Sequence, residues 1–166
     1  DVDMKSSLGS GGAANVYKCK RKSDGEEFAI KILDKRNKNK DKISRFKDEI
    51  KVMIDCATRG IEGVMPIIDY NIDESWYVMP VARSISDEIR DWKKKIEEAV
   101  PKEMYKDDIV KSAVEAFRNF AITLSKVHKL GYTHRDIKPQ NLYRLGDNFI
   151  IGDFGIVDIP DSNHKT

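Results

Sequence analysis

Short apolar runs separated by glycine-rich or polar turns fill the first half of the chain, and this pattern predicts antiparallel β-strands. The runs lie at residues 2–8, 15–21, 28–33, 67–70 and 76–81. Between the second and third runs, Asp24-Gly25 supplies the positive φ that a tight hairpin turn requires. We therefore expect a five-stranded antiparallel sheet in this part of the chain.

Helical spacing interrupts the strands once and then dominates the second half. Apolar residues recur three and four positions apart, as one buried helix face requires, at Ile43, Phe46, Ile50, Met53, Ile54 and Ala57. A charged surface helix is expected at 86–99, and the strongest helical pattern covers 108–130. In that last helix we expect one buried stripe of Val110, Ala113, Val114, Phe117, Phe120, Ala121, Leu124 and Val127.

The pattern changes from strands to helices near residue 82. Residues 1–82 are expected to form a mostly β domain with one helix, and residues 83–166 a mostly helical domain that includes a small hairpin at 142–151. The predicted fold class is therefore α+β.

Composition restricts the function classes further. The chain has 166 residues, 40% of them hydrophobic and 35% charged, which is enough for a hydrophobic core. Its net charge of +2 gives no reason to expect a nucleic-acid partner. The two cysteines lack metal-ligand spacing and indicate a reducing compartment. No apolar run reaches the ~18 residues of a membrane span, so we expect a cytoplasmic protein or the cytoplasmic domain of a longer one.

Two polar motifs near the end of the chain carry the strongest chemical signal. They are His134-Arg135-Asp136-Ile137-Lys138-Pro139-Gln140-Asn141 and Asp153-Phe154-Gly155. Phosphoryl transfer from a magnesium-bound nucleotide to a hydroxyl needs a base, a cation facing phosphate and two metal ligands, and these motifs supply all four. The alternative is a surface turn that is merely polar, which a match at so many specified positions disfavours.

A glycine-rich segment joins the first two predicted strands. It comprises Gly9, Ser10, Gly11 and Gly12, with Leu8 before it and Val16 after it. Glycines let the backbone approach phosphates closely and point its amides at them. Glycine-rich hairpins without ligands are also common, so this motif alone leaves both interpretations open.

Lys31 lies in the middle of the third predicted strand, between apolar neighbours. A lysine on a buried face must be paired or must serve a ligand, because burying an unpaired ammonium is costly. Glu49 is its natural partner, since it lies beside the apolar face of the first predicted helix. The alternatives are an exposed edge-strand lysine and a solvated helix carboxylate, and both are less favoured when the two residues are considered together.

In this order, the motifs resemble the catalytic domain of eukaryotic-type Ser/Thr protein kinases over essentially the whole chain. The resemblance implies a five-stranded N-lobe with one helix, followed by a mostly helical C-lobe. It also implies ATP and Mg²⁺ as cofactors and a protein substrate with a Ser or Thr acceptor. Asp136 would then be the catalytic base, and Lys138 would steady the γ-phosphate, as in Ser/Thr-directed members.

The resemblance assigns the nucleotide contacts as well. Lys31, braced by Glu49, would contact the α- and β-phosphates, and Asn141 and Asp153 would hold Mg²⁺. The glycine segment would contact the phosphates, and Leu8 before it would also lie at the nucleotide. The adenine pocket would be lined by Val16, Ala29, Leu142 and the gatekeeper Met79, with the Pro80 carbonyl and the Ala82 amide bonding the adenine edge.

The chain departs from the family pattern at its end, because it stops thirteen residues after Asp153. We therefore expect a fragment with an incomplete C-lobe, inactive alone and in need of the rest of that lobe or of a partner surface. The alternatives are a pseudokinase that acts as a nucleotide-binding scaffold and a small-molecule phosphotransferase. Both usually lose one of the groups present here at Lys31, Asp136, Lys138 and Asp153.

Overall fold

The N-terminal part of the chain forms the five-stranded antiparallel sheet that the sequence predicts. In the computed structural model, residues 2–10, 13–34, 39–98 and 106–160 are described. The strands are β1 (Val2–Ser10), β2 (Ala14–Lys20), β3 (Glu27–Leu33), β4 (Asp69–Asn71) and β5 (Trp76–Pro80), in the spatial order β1-β2-β3-β5-β4. All neighbouring strands are antiparallel. Together with the helices below, this sheet confirms the α+β class.

One helix, α1 (Lys40–Thr58), packs against this sheet. Asn39 begins it, because its side chain accepts a hydrogen bond from the Asp41 backbone N–H. The predicted apolar face is buried at Phe46, Ile50 and Met53, and it also carries the buried carboxylate of Glu49. The helix is thereby fixed with one acidic group directed toward the sheet.

The C-terminal part combines two long helices with a second, smaller sheet. The helices are α2 (Ile85–Glu98) and α3 (Lys106–Lys129), and the strands are β6 (Arg83–Ser84), β7 (Leu142–Leu145) and β8 (Asn148–Ile151). The strand order is β6-β7-β8, and a short 3₁₀ turn over Pro139–Asn141 leads into β7. Both helices and the hairpin were predicted. The two-residue strand β6 was missed because it is too short to show alternation.

The buried face of α3 is narrower than the predicted stripe. Phe120 and Val127 are buried as expected, whereas Val110, Val114 and Phe117 are 53%, 63% and 77% exposed. The core-facing line instead runs through Ala116, Phe120, Thr123 and Val127, at spacings of four, three and four residues. Ala121 is exposed as well, so the predicted stripe was too wide and was wrong at these four positions. None of the helices in the described ranges is long and apolar enough to cross a membrane.

A close backbone contact joins the loop after α1 to β8. The Ile151 N–H donates to the Gly63 carbonyl at 2.7 Å, and the Met65 N–H donates to the Ile151 carbonyl at 2.8 Å. Gly63 has φ +89°, and a Cβ there would lie 2.2 Å from Thr123 Oγ1 on α3. The site depends on this contact because β8 leads directly into Asp153.

We expect Gly63→Ala to destabilise the fold by about 3 kcal/mol, because the added methyl group clashes with Thr123. Gly60→Ala is the matched control, since Gly60 also has a positive φ of +67° but has open space around its Cβ position. Backbone strain alone should cost the control about 1 kcal/mol. Urea unfolding measures both, and equal losses of unfolding free energy would contradict the close contact.

Candidate active site

Lys31 is held between two carboxylates that come from distant parts of the chain. Its Nζ donates to both oxygens of Glu49, at 2.8 and 3.0 Å, and to Asp153 Oδ1 at 2.9 Å. The Glu49 side chain is 1% exposed, and that of Lys31 is 13% exposed. The structure thus joins β3, α1 and the segment after β8 at one ammonium group.

The charges around Lys31 determine its protonation. Burial acts to lower the pKa of Lys31, but the carboxylate of Glu49, the Tyr77 ring and Asp153 outweigh it and hold the pKa well above its ordinary value. Burial likewise acts to raise the pKa of Asp153, yet Lys31 lowers it overall. Lys31 is therefore a cation and Asp153 an anion at neutral pH.

The segment around Asp136 forms a second polar cluster beside the first. Asp136 Oδ2 accepts hydrogen bonds from Lys138 Nζ at 2.7 Å and from Asn141 Nδ2 at 2.8 Å. Asn141 Nδ2 also donates to the Asp136 carbonyl at 2.9 Å. These bonds direct the amide nitrogen of Asn141 toward Asp136, so its Oδ1 is the atom that could bind a metal.

His134 connects this segment to the one that carries Asp153. Its Nδ1 accepts from the Asp136 N–H at 3.2 Å, so its Nε2 carries the proton that is donated to the Gly152 carbonyl at 2.9 Å. The imidazole is 1% exposed and packs on Phe154 with ring centroids 4.5 Å apart. Burial lowers the pKa of His134, so the ring is neutral at pH 7.

The backbone is strained at two of these positions. Arg135 has φ 64° and Asp153 has φ 59°, values that are uncommon for residues other than glycine. Such conformations persist where the surrounding contacts over-determine them, and they concentrate at functional sites. Here the bonds of His134 and Lys31 supply those contacts.

A cleft of about 450 Å³ opens between the first sheet and the second. Most residues expected at the nucleotide line it: Leu8, Gly9, Val16, Ala29, Lys31, Met79, Pro80, Ala82 and Asp153. A neighbouring recess of about 210 Å³ is lined by Lys31, Glu49, Asp136 and Asp153. Gly11 and Gly12 lie outside the described residues, as does the side chain of Ser10.

Leu142 does not line this cleft, although the sequence prediction placed it below the adenine ring. Its side chain packs against the hydrophobic core, and Tyr143 lines the cleft in its place. Successive side chains of a strand point to opposite faces, so only one of the two can reach the cleft from β7. Gly152 makes room for the aromatic ring, because a Cβ there would lie 2.9 Å from Tyr143 Cε2.

The sequence prediction also missed two polar residues at the edge of the cleft. Ser84 and Asp87 line it, and they are bonded to each other: the Asp87 N–H donates to Ser84 Oγ at 3.1 Å, and Ser84 Oγ donates to Asp87 Oδ2 at 2.8 Å. A Ser followed three residues later by an acidic side chain is a recognisable start of a helix. That signal was present in the sequence and marks the beginning of α2.

The donor set fits Mg²⁺ bound together with a triphosphate. Mg²⁺ in such sites takes one or two protein oxygen ligands and completes its shell with phosphate oxygens and water. The Asp153 carboxylate, whose side chain is 41% exposed, and Asn141 Oδ1 are oxygens of that kind. Among the described residues there is no group of three or more His, Cys, Asp or Glu side chains that could hold a metal on its own.

Comparison with known proteins decides the family. The sequence model of the family described as "Protein kinase domain" matches residues 2–166. The chain belongs to the protein kinase family. The α+β architecture described above is thus that of a protein kinase domain.

Several curated kinases are similar to this one at modest identity. The maternal embryonic leucine zipper kinase of Danio rerio is 29% identical over 95% of this chain and 22% of its own length. The serine/threonine-protein kinase PknD of Chlamydia trachomatis is 30% identical over 93% of this chain and 16% of its own length. The human myotonin-protein kinase is 28% identical over 93% of this chain and 23% of its own length. The chain therefore spans less than a quarter of the length of these relatives.

Protonation of His134 should weaken the fold. Its pKa in the folded chain is below its ordinary value of 6.5, so the unfolded chain binds a proton first as the pH falls. The neutral His134 ring contributes its full stability above pH 6.5. This contribution is lost as the pH falls through the pKa that His134 has in the folded chain. We therefore expect the unfolding free energy to drop as the pH falls from 7 to 5, with His134 contributing to that drop.

Urea unfolding between pH 7 and 5 tests this pH dependence of the unfolding free energy. His134→Phe is compared with His128→Phe, a control at an exposed histidine. The His134 variant should show a flatter pH dependence, because the titrating ring is gone, while the control keeps the wild-type slope. A wild-type slope in both variants would show that His134 does not titrate below its ordinary range.

Proposed function

We propose that this kinase transfers the γ-phosphoryl group of Mg-ATP to serine and threonine hydroxyls of protein substrates. The observation that carries this proposal is the Lys31–Glu49–Asp153 ion cluster, which lines one recess together with Asp136. Asp136 in turn accepts hydrogen bonds from Lys138 and Asn141. Phosphoryl transfer is catalysed mainly by positioning and by charge, and these two clusters supply both.

Lys31 is the residue that we assign to the α- and β-phosphates. Glu49 holds its ammonium in place, and Asp153, together with Asn141 Oδ1, is assigned to Mg²⁺. Bound Mg²⁺ would offset the negative charge of the triphosphate. The ammonium that now bonds Asp153 would in that state share its hydrogens with phosphate oxygens.

Asp136 is assigned to the acceptor hydroxyl. Both of its observed side-chain donors bind Oδ2, at 2.7 and 2.8 Å, and Oδ1 is the oxygen that we assign to the substrate proton. Lys138 lies beside it with a side chain that is 47% exposed, where it can reach the γ-phosphate. A lysine at this position supports Ser or Thr as the acceptor, as does the name of the Chlamydia relative, a serine/threonine-protein kinase.

The adenine ring is assigned to the larger cleft. Val16 and Ala29 line it on the side of the first sheet, and Tyr143 replaces Leu142 in our assignment on the opposite side. The Pro80 carbonyl and the Ala82 amide are our proposed partners for the adenine edge.

We also propose that the chain divides into two domains at residue 82 and that the protein is cytoplasmic. The free, buried thiols of Cys19 and Cys56 support the cytoplasmic location.

Nucleotide binding is tested by a thermal shift with Mg-ATP. A ligand at about 100 times its Kd stabilises a fold by about 2.7 kcal/mol, which corresponds to several degrees in Tm. Lys31→Met and Asp153→Ala should reduce this shift, whereas Lys40→Met and Asp147→Ala, at exposed positions, should keep it. A Tm that does not respond to Mg-ATP in the wild type would contradict the assignment of the cleft.

Phosphoryl transfer is tested separately, with radiolabelled ATP and a protein acceptor, using the protein at its full natural length. Asp136→Ala should lower kcat by on the order of 10³-fold, because it removes the general base while leaving the adenine cleft intact. Nucleotide binding without transfer by the wild type would favour the pseudokinase scaffold. Transfer to a small molecule but to no protein would favour the small-molecule phosphotransferase.

A further inference from the structure

Tyr77 is the second residue of β5 and contacts α1 at two points. Its hydroxyl donates a hydrogen bond to Glu49 Oε1 at 3.0 Å, and its ring packs on Phe46 with centroids 5.7 Å apart. The side chain is 1% exposed. Phe46 and Glu49 are three residues apart on the helix, so Tyr77 holds one turn of α1 against the sheet.

The strand register brings Tyr77 to the same place as Lys31. The two residues are direct partners in the antiparallel pairing of β3 with β5, and Lys31 Nζ lies 5.8 Å from the centre of the Tyr77 ring. Lys31 and Tyr77 therefore reach the Glu49 carboxylate from adjacent strands. Glu49 Oε1 accepts from both.

Glu49 needs this second donor because Lys31 is shared. An ammonium has three N–H groups, and those of Lys31 serve the two oxygens of Glu49 and one of Asp153. In the proposed function, the same ammonium must also serve phosphate oxygens. A buried carboxylate that loses part of its hydrogen bonding is strongly destabilised.

We propose that Tyr77 is a positioning residue of this kinase: its hydroxyl holds the Glu49 carboxylate in place for Lys31 and keeps α1 docked on the sheet. The inference rests on the proposed function, since it gives Tyr77 a role in phosphoryl transfer. Movement of α1 away from the sheet would leave a buried hydroxyl without its acceptor, which is costly.

Tyr77 is suited to this role because it stays protonated. Burial, followed by the charge of Glu49, raises the pKa of Tyr77 well above its ordinary value. The groups that face Glu49 are Lys31 from β3, Tyr77 from β5 and Asp153 from the segment after β8. Of these, Tyr77 is the uncharged donor, and its single O–H is directed at Glu49.

Tyr77→Phe removes this hydrogen bond and keeps the ring. In the protein at its full natural length, we expect kcat to fall about tenfold, the effect of losing one hydrogen bond to a charged group. The KM for Mg-ATP should change less than about threefold, because the adenine contacts are intact. Tyr70→Phe is the matched control, since Tyr70 faces Tyr77 across the β4–β5 pairing but is 45% exposed.

A double-mutant cycle separates positioning from a merely structural role. If Tyr77 acts through Glu49, then Tyr77→Phe should change kcat by less than about twofold in a Glu49→Gln background. Independent, multiplicative losses in the double variant would overturn the proposal, as would a wild-type kcat in Tyr77→Phe.

Hydrogen exchange of α1 in the nucleotide-free protein supplies a readout that does not need activity. Tyr77→Phe should speed exchange of the α1 amides, while Tyr70→Phe should not. If the wild type transfers no phosphate, the proposed function fails and this measurement still decides whether the hydroxyl holds the helix. Unchanged exchange in Tyr77→Phe would then refute that contact as well.

Discussion

The ammonium of Lys31 lies between the carboxylates of Glu49 and Asp153, where little water reaches it, and the rest of the site is arranged around that charge. Removing ions from water costs several kcal/mol each, so a buried cluster of this kind is stable only when all its members have partners. The partners come from β3, α1 and the segment after β8. Three separate elements are thus held together at one ammonium group.

Further hydrogen bonds extend this constraint to the segment that carries Asp136. His134 ties the Asp136 loop to Gly152, next to Asp153, and the Tyr132 hydroxyl donates to Asp55 on α1 at 3.0 Å. The backbone bonds of Gly63 and Met65 to Ile151 fix the strand that precedes Asp153. A shift of α1 would therefore disturb Lys31 and the loop that carries Asp136 at once.

Much of this arrangement could be predicted from the sequence, because local patterns determined it. Strand alternation and helical spacing gave the elements, and the buried position of Lys31 together with the flank position of Glu49 predicted their ion pair. The predictions that failed depended on orientation. Alternation along β7 does not reveal which of Leu142 and Tyr143 faces the cleft, and the width of a helical stripe does not reveal which of its residues meet a neighbour.

The role proposed for Tyr77 could not be predicted for a related reason. In the sequence, Tyr77 is an aromatic residue in a short, mostly apolar strand. Its hydrogen bond to Glu49 depends on the β3–β5 register and on the docking of α1, which together bring the Tyr77 hydroxyl to 3.0 Å from the Glu49 carboxylate. Strand register is a property of long-range pairing and cannot be inferred from local composition.

A structure of the protein bound to Mg²⁺ and a non-hydrolysable ATP analogue would show whether Lys31 and Asp153 meet the phosphates and the metal. We expect one Mg²⁺ with Asp153 and Asn141 oxygens at about 2.1 Å, and Lys31 Nζ bonded both to Glu49 and to an α- or β-phosphate oxygen. A nucleotide bound elsewhere, or bound in the cleft with Lys31 and Asp153 turned away from its phosphates, would contradict this expectation.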